Sequence, residues 1–142
     1  MDTATPPPTV QPPPPTEQRV LVGPIVRDVL IVWVLTALGG IVAGIATGGP
    51  TQDTQRFMLA VAAANFLLGT VAFTIAGCLA PAGRWRHLAL VAVGAWFTSL
   101  VNVVFFGVTI VQWIGGAIFM ALIMGIGGAI SYVFKRDKKP SA

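Results

Sequence analysis

The apolar positions of this chain fall in long unbroken blocks. They follow neither the 3.6-residue rhythm of a soluble amphipathic helix nor the alternation of a half-buried strand. One block runs from about Ile25 to Thr47 and a second from about Phe57 to Ala80. After His87 there is no charged residue until Lys135. As a single helix that stretch would be roughly 70 Å long, more than twice a bilayer core of about 30 Å, so it must fold back. The best turn lies between Gly107 and Gln112, where Gly107, Thr109 and Gln112 interrupt the run. A third span then lies near 88–107 and a fourth near 110–134. The pattern predicts an all-α fold, a four-helix transmembrane bundle.

The prolines punctuate the chain in the same way. Seven of the eleven lie in the first 18 residues, a stretch that cannot bury a core and favours extended polyproline II. Residues 1–18 are therefore expected to form a disordered proline-rich tail, either a solvated spacer or a ligand for a proline-binding module. Pro24, Pro50, Pro81 and Pro140 fall outside the four spans, as residues that break helix interiors should. Asp53 or Thr54 can cap the second helix. Residues 19–134 make one membrane domain, and 135–142 a short basic tail. The first block is too long for a signal-peptide core, and no cationic start precedes it.

Composition agrees with lipid as the solvent. Hydrophobic residues make up 55% of the chain and charged residues 10%, too few charges to cover a soluble surface. The net charge of +4 comes from basic residues that flank the spans. Four spans put Arg19, Arg27, Arg84, Arg86, Lys135, Arg136, Lys138 and Lys139 on one side, and only Arg56 on the other. The positive-inside bias then places both termini in the cytoplasm, with the bacterial inner membrane as the expected location. No basic stripe is interleaved with exposed aromatics, so nucleic acid is not an expected partner.

Within the spans, small residues recur every four positions. Gly40, Gly44 and Gly48 share one face of the first, Ala60 and Ala64 part of the second, and Ala117, Ala121, Gly125 and Ala129 one face of the fourth. Helices in lipid associate through close backbone approach, which small residues permit. These stripes are candidates for helix packing, within one chain or between subunits. Asn65 and Asn102 are the most polar deep residues, and their similar depth suggests an interhelical hydrogen bond. Thr36, Thr70, Thr74, Thr98, Ser99 and Ser131 can each satisfy themselves on the preceding turn.

The chemistry that is missing narrows the function. The five acids lie outside the bilayer core or at its edge. Asp28, beside Arg27, is read as an interfacial ion pair or a solvated group, and the single His87 as part of a cationic loop. One histidine and one cysteine, Cys78, supply no zinc site, bis-histidine haem or disulfide. No catalytic, cofactor-binding or metal-binding residues are expected. Small multidrug-resistance transporters carry a glutamate in the first span, which this chain lacks. The run Asn65-Phe66-Leu67-Leu68-Gly69 is similar to a second-span stretch of fluoride channels, but Trp96-Phe97-Thr98-Ser99 departs from their third-span motif, and neither family is assigned. The expected function is that of a non-enzymatic accessory, assembly or scaffold subunit in a larger membrane complex. The alternative is a small homo-oligomeric channel or transporter. The partners are the bilayer and another membrane protein or a second copy.

Overall fold

A computed structural model describes residues 22–51, 53–81, 83–105 and 107–134. The proline-rich and basic tails lie outside the described residues. The helices are α1 (Val22–Thr47), α2 (Thr54–Leu79), α3 (Arg84–Thr98), α4 (Leu100–Phe105) and α5 (Ile110–Phe134). Four segments are long and apolar enough to cross a membrane: α1, α2, the combined Arg84–Phe105 segment and α5. The chain is thus an all-α bundle of four candidate spans, as its hydropathy predicts, and reads as an integral membrane protein.

Local chemistry sets where each helix begins and ends. Three of the spans start about a turn before the first apolar residue of their block. Pro24 sits in the first turn of α1, where its missing N–H has no helical partner to lose. Asp53 caps α2, its carboxylate accepting the backbone N–H of Arg56 at 2.9 Å. Gly48 follows the end of α1 with φ +74°, a left-handed conformation that favours glycine. The start of α5 is a reciprocal capping box. The Thr109 hydroxyl accepts the Gln112 N–H at 3.2 Å, and the Gln112 side-chain oxygen accepts the Thr109 N–H at 3.0 Å.

Helices α1, α2, α5 and α3 pack in a ring, each against the next, while α1 and α5 make no contact across it. The bundle has a terminal end, where α1 begins and α5 stops, and a loop end, where α1 joins α2 and α4 joins α5. Close contact is made at glycines. A Cβ on Gly127 would stand 2.7 Å from the Phe73 Cβ and from the Thr70 carbonyl oxygen, so α5 meets the backbone of α2 directly. A Cβ on Gly69 would stand 2.7 Å from Ile123 Cδ1, and one on Gly77 would collide with Ser131. On α1, Gly39 holds the tight position, with Ala64 of α2 3.2 Å from where its Cβ would be. Phe73, Leu88, Val91, Ala72 and Ala76 are fully buried around these contacts.

The expected stripes on α1 and α5 are not these packing faces, whereas Ala64 of the α2 stripe does meet α1 at Gly39. Nothing lies within 4 Å of a Cβ built on Gly40, Gly44 or Gly125. Ala121 and Ala129 are exposed, Ala117 is half-buried, and Gly48 is in the turn after α1. Within the chain the packing residues stand one or two positions away, at Gly39 and Ala43 on α1 and at Ile123, Gly127, Gly128 and Ser131 on α5. The physical reason is that every face of these helices is apolar, so periodicity does not mark the inner one.

Gly127→Ala should therefore lower the stability of the chain by about 1–3 kcal/mol, the usual cost of overpacking. Gly44→Ala should leave it unchanged or slightly raised. Reversible unfolding of both variants in mixed micelles checks this, and equal effects would contradict the assigned packing faces.

Candidate functional site

Polar side chains gather at two levels of the bundle. Near the terminal end, Asp28 of α1 is fully buried. Its Oδ1 accepts from Arg27 Nε at 2.7 Å. Its Oδ2 lies 2.7 Å from Nε2 of His87, the fourth residue of α3, which is only 6% exposed. The Arg27 side chain is 47% exposed and reaches outward from its neighbour. Asp28 stands about 9 Å along α1 from its first residue. The pairing of Asp28 with Arg27 is as expected, but Asp28 is not solvated, and His87 lies inside α3 instead of on a loop. The two ionisable groups form a buried link between α1 and α3. Among the described residues no three potential ligands come close enough to hold a metal ion.

The second level is a cavity of about 240 Å³ toward the loop end. Thr36, Asn65, Ser99, Asn102 and Gln112 are on its walls, together with Trp96, Trp113, Phe119 and Ile123. A recess of about 90 Å³ between α1 and α3 shares Thr36, Ser99 and Asn102 with it. Two features of the fold open this space. The first is the missing contact between α1 and α5. The second is the break in the third span at Ser99, after which α4 touches only α3 and α5. The outer part of the third span thus leaves α1 and α2.

The break is held by tryptophans. The Trp96 and Trp113 rings stack with centroids 4.1 Å apart. Trp96 Nε1 donates to the Trp113 carbonyl at 3.0 Å, and Trp113 Nε1 donates to the Ser99 hydroxyl at 3.1 Å. Trp33 Nε1 donates to the Thr98 hydroxyl at 2.9 Å, tying α1 to the same place.

The sequence-expected polar residues can now be placed. Thr36, Thr70, Thr74, Thr98, Ser99 and Ser131 each donate to a carbonyl three or four residues earlier, so they carry little free polarity. Thr74 also reaches the Gly127 carbonyl of α5 at 3.3 Å. Asn65 and Asn102 are brought together on one cavity wall set, but no hydrogen bond joins them. The Asn65 Oδ1 is buried without a partner. Sequence reasoning missed the Asp28–His87 pair. The available signal was that both residues stand at the same end of the spans they belong to. Comparison with protein-family models, curated proteins and solved structures finds no match.

Asp28→Leu alone and His87→Leu alone should each destabilise the chain, Asp28→Leu the more, because each leaves a buried polar group without its partner. Leaving a buried hydrogen-bonding group unpaired costs about 1–3 kcal/mol, and more when that group is charged. The double variant should lose less than the sum. A double-mutant cycle measured by unfolding in micelles reads this coupling, and simple additivity would show that the pair is not formed.

Proposed function

We propose that the protein is a non-enzymatic subunit of a larger membrane assembly, set in the bacterial inner membrane with both termini in the cytoplasm. One observation supports the assembly role above the rest. Small residues recur at four-residue spacing on α1 (Gly40, Gly44) and α5 (Ala121, Gly125, Ala129): a Cβ built on Gly40, Gly44 or Gly125 meets nothing within 4 Å, and Ala121 and Ala129 are exposed. Glycine within a helix costs about 1 kcal/mol relative to alanine. Lipid gains nothing from glycine, whereas a second helix does, through close backbone approach. The two faces belong to helices on opposite corners of the ring, so one chain can meet two neighbours. Beside the α5 face, Ala117 and Ala121 with Ala89, Ala92 and Val93 of α3 line an apolar groove of about 180 Å³.

The cytoplasmic orientation rests on the eight basic residues assigned to the terminal end against Arg56 at the other. The non-enzymatic reading rests on the residue inventory: with one histidine and one cysteine, the hydrogen bonds of the described residues include no nucleophile joined to a base and an orienting group.

A channel or transporter is the second reading, favoured by the polar cavity. Between that cavity and the terminal end lie Val32, Phe73, Val91 and Leu88, all buried and in one cluster. A conducting path would therefore have to open this layer or run between copies.

The test is purification from native membranes in mild detergent through a C-terminal tag, with mass and composition determined. A stoichiometric membrane partner or a defined oligomer is expected for the parent. Gly44→Ile should release it while the isolated chain keeps its stability. A monomeric parent would contradict the assembly role, and solute flux through liposomes containing the monomer would replace it with transport.

A further inference from the structure

The cavity at the loop end has the chemistry of a ligand site, and this goes beyond the assembly role. Its free hydrogen-bonding capacity is concentrated in side-chain carboxamides. Thr36 and Ser99 donate to carbonyls of their own helices, and both indole N–H groups on the walls are used within the protein. That leaves the carboxamides of Asn65, Asn102 and Gln112; Gln112 spends its Oε1 on the Thr109 N–H, whereas neither Asn65 nor Asn102 makes a side-chain hydrogen bond among the described residues. Oδ1 of Asn65 is buried and unpartnered, a state that native structures seldom tolerate without an occupant.

The walls restrict the occupant further. No charged side chain lies among the described lining residues, so nothing there offsets the desolvation of an ion. Trp96, Trp113 and Phe119 offer flat aromatic surface. The volume of about 240 Å³ falls below the roughly 300–1,000 Å³ that hold drug-sized molecules, so the fit is to a molecule of single-ring size.

We propose that this cavity binds a small uncharged solute with an amide-type group, which both donates to and accepts from the Asn65 and Asn102 carboxamides, on a flat apolar body held by Trp96. A carboxamide is the natural complement of another carboxamide, since each offers one acceptor and two donors. The site stands at the loop end, where α4 leaves α1 and α2.

The probe is benzamide, with benzoate and toluene as controls. The full chain is placed in phosphatidylcholine nanodiscs, and binding is followed by ligand-observed NMR and by tryptophan fluorescence. Benzamide should bind saturably, and benzoate and toluene should not. Asn65→Leu should weaken benzamide at least tenfold. Gly116→Leu provides a second variant, because Gly116 lines the cavity and a Cβ there meets nothing within 4 Å. It should abolish binding by filling the space, with the fold intact by circular dichroism. Uptake of benzamide that does not saturate, or that is the same in the parent and in Gly116→Leu, would overturn the proposal and leave a cavity that holds only water.

Discussion

The architecture depends on how closely α5 can lie against α2. In lipid no hydrophobic drive pushes helices together, so the attraction must come from dispersion between surfaces that fit. Gly127 lets α5 touch the carbonyl of Thr70, and Gly69 and Gly77 receive Ile123 and Ser131 from the other side. Thr74 and Cys78 then reach across to carbonyls of α5. With α2 drawn to α5 on one flank and to α1 on the other, the ring geometry follows, and α1 and α5 are left facing each other at a distance.

That diagonal gap is filled differently along its length. In the middle, Phe73, Val32, Val91 and Ile123 close it with apolar volume. Toward the terminal end, the ring is fastened by the Asp28–His87 contact between α1 and α3. Toward the loop end, the third span breaks at Ser99, α4 departs from α1 and α2, and the gap becomes a polar cavity. The stacked Trp96 and Trp113 keep the break in place with crossed indole bonds. A glycine-packed interface, a helix break and a buried carboxylate–imidazole hydrogen bond thus have complementary tasks in one ring.

Much of the fold was legible in the sequence, because span number and connection sites are set by hydropathy length and by residues such as Pro50, Pro81 and Gly107. The depth argument for Asn65 and Asn102 was informative too, since both reach the same cavity. What hydropathy leaves open is rotation about each helix axis. Gly39 and Gly40 are adjacent and equally small, yet only Gly39 meets α2. The choice between them is made by the shape of the neighbour, with Ala64 and Leu68 waiting on one side, and that information is not local. The Asp28–His87 pair was hidden for a related reason. Starting the third span at residue 88 put His87 outside the bilayer, whereas α3 begins at Arg84. Four residues of extra helix turn a loop histidine into an interhelical partner.

The two faces left unpacked bear on why the interior is built from glycine and alanine. A monomer that had only itself to stabilise would gain by placing larger apolar residues at Gly44, Gly125 and Gly115, where a Cβ meets nothing within 4 Å. Each such glycine forfeits helix propensity and lipid-facing contact together. The loss is recovered only when another helix comes close enough to use the groove. Interior glycines such as Gly127 have that partner within the chain. The exterior ones meet no such partner among the described residues, and the assembly proposed above is what would supply one.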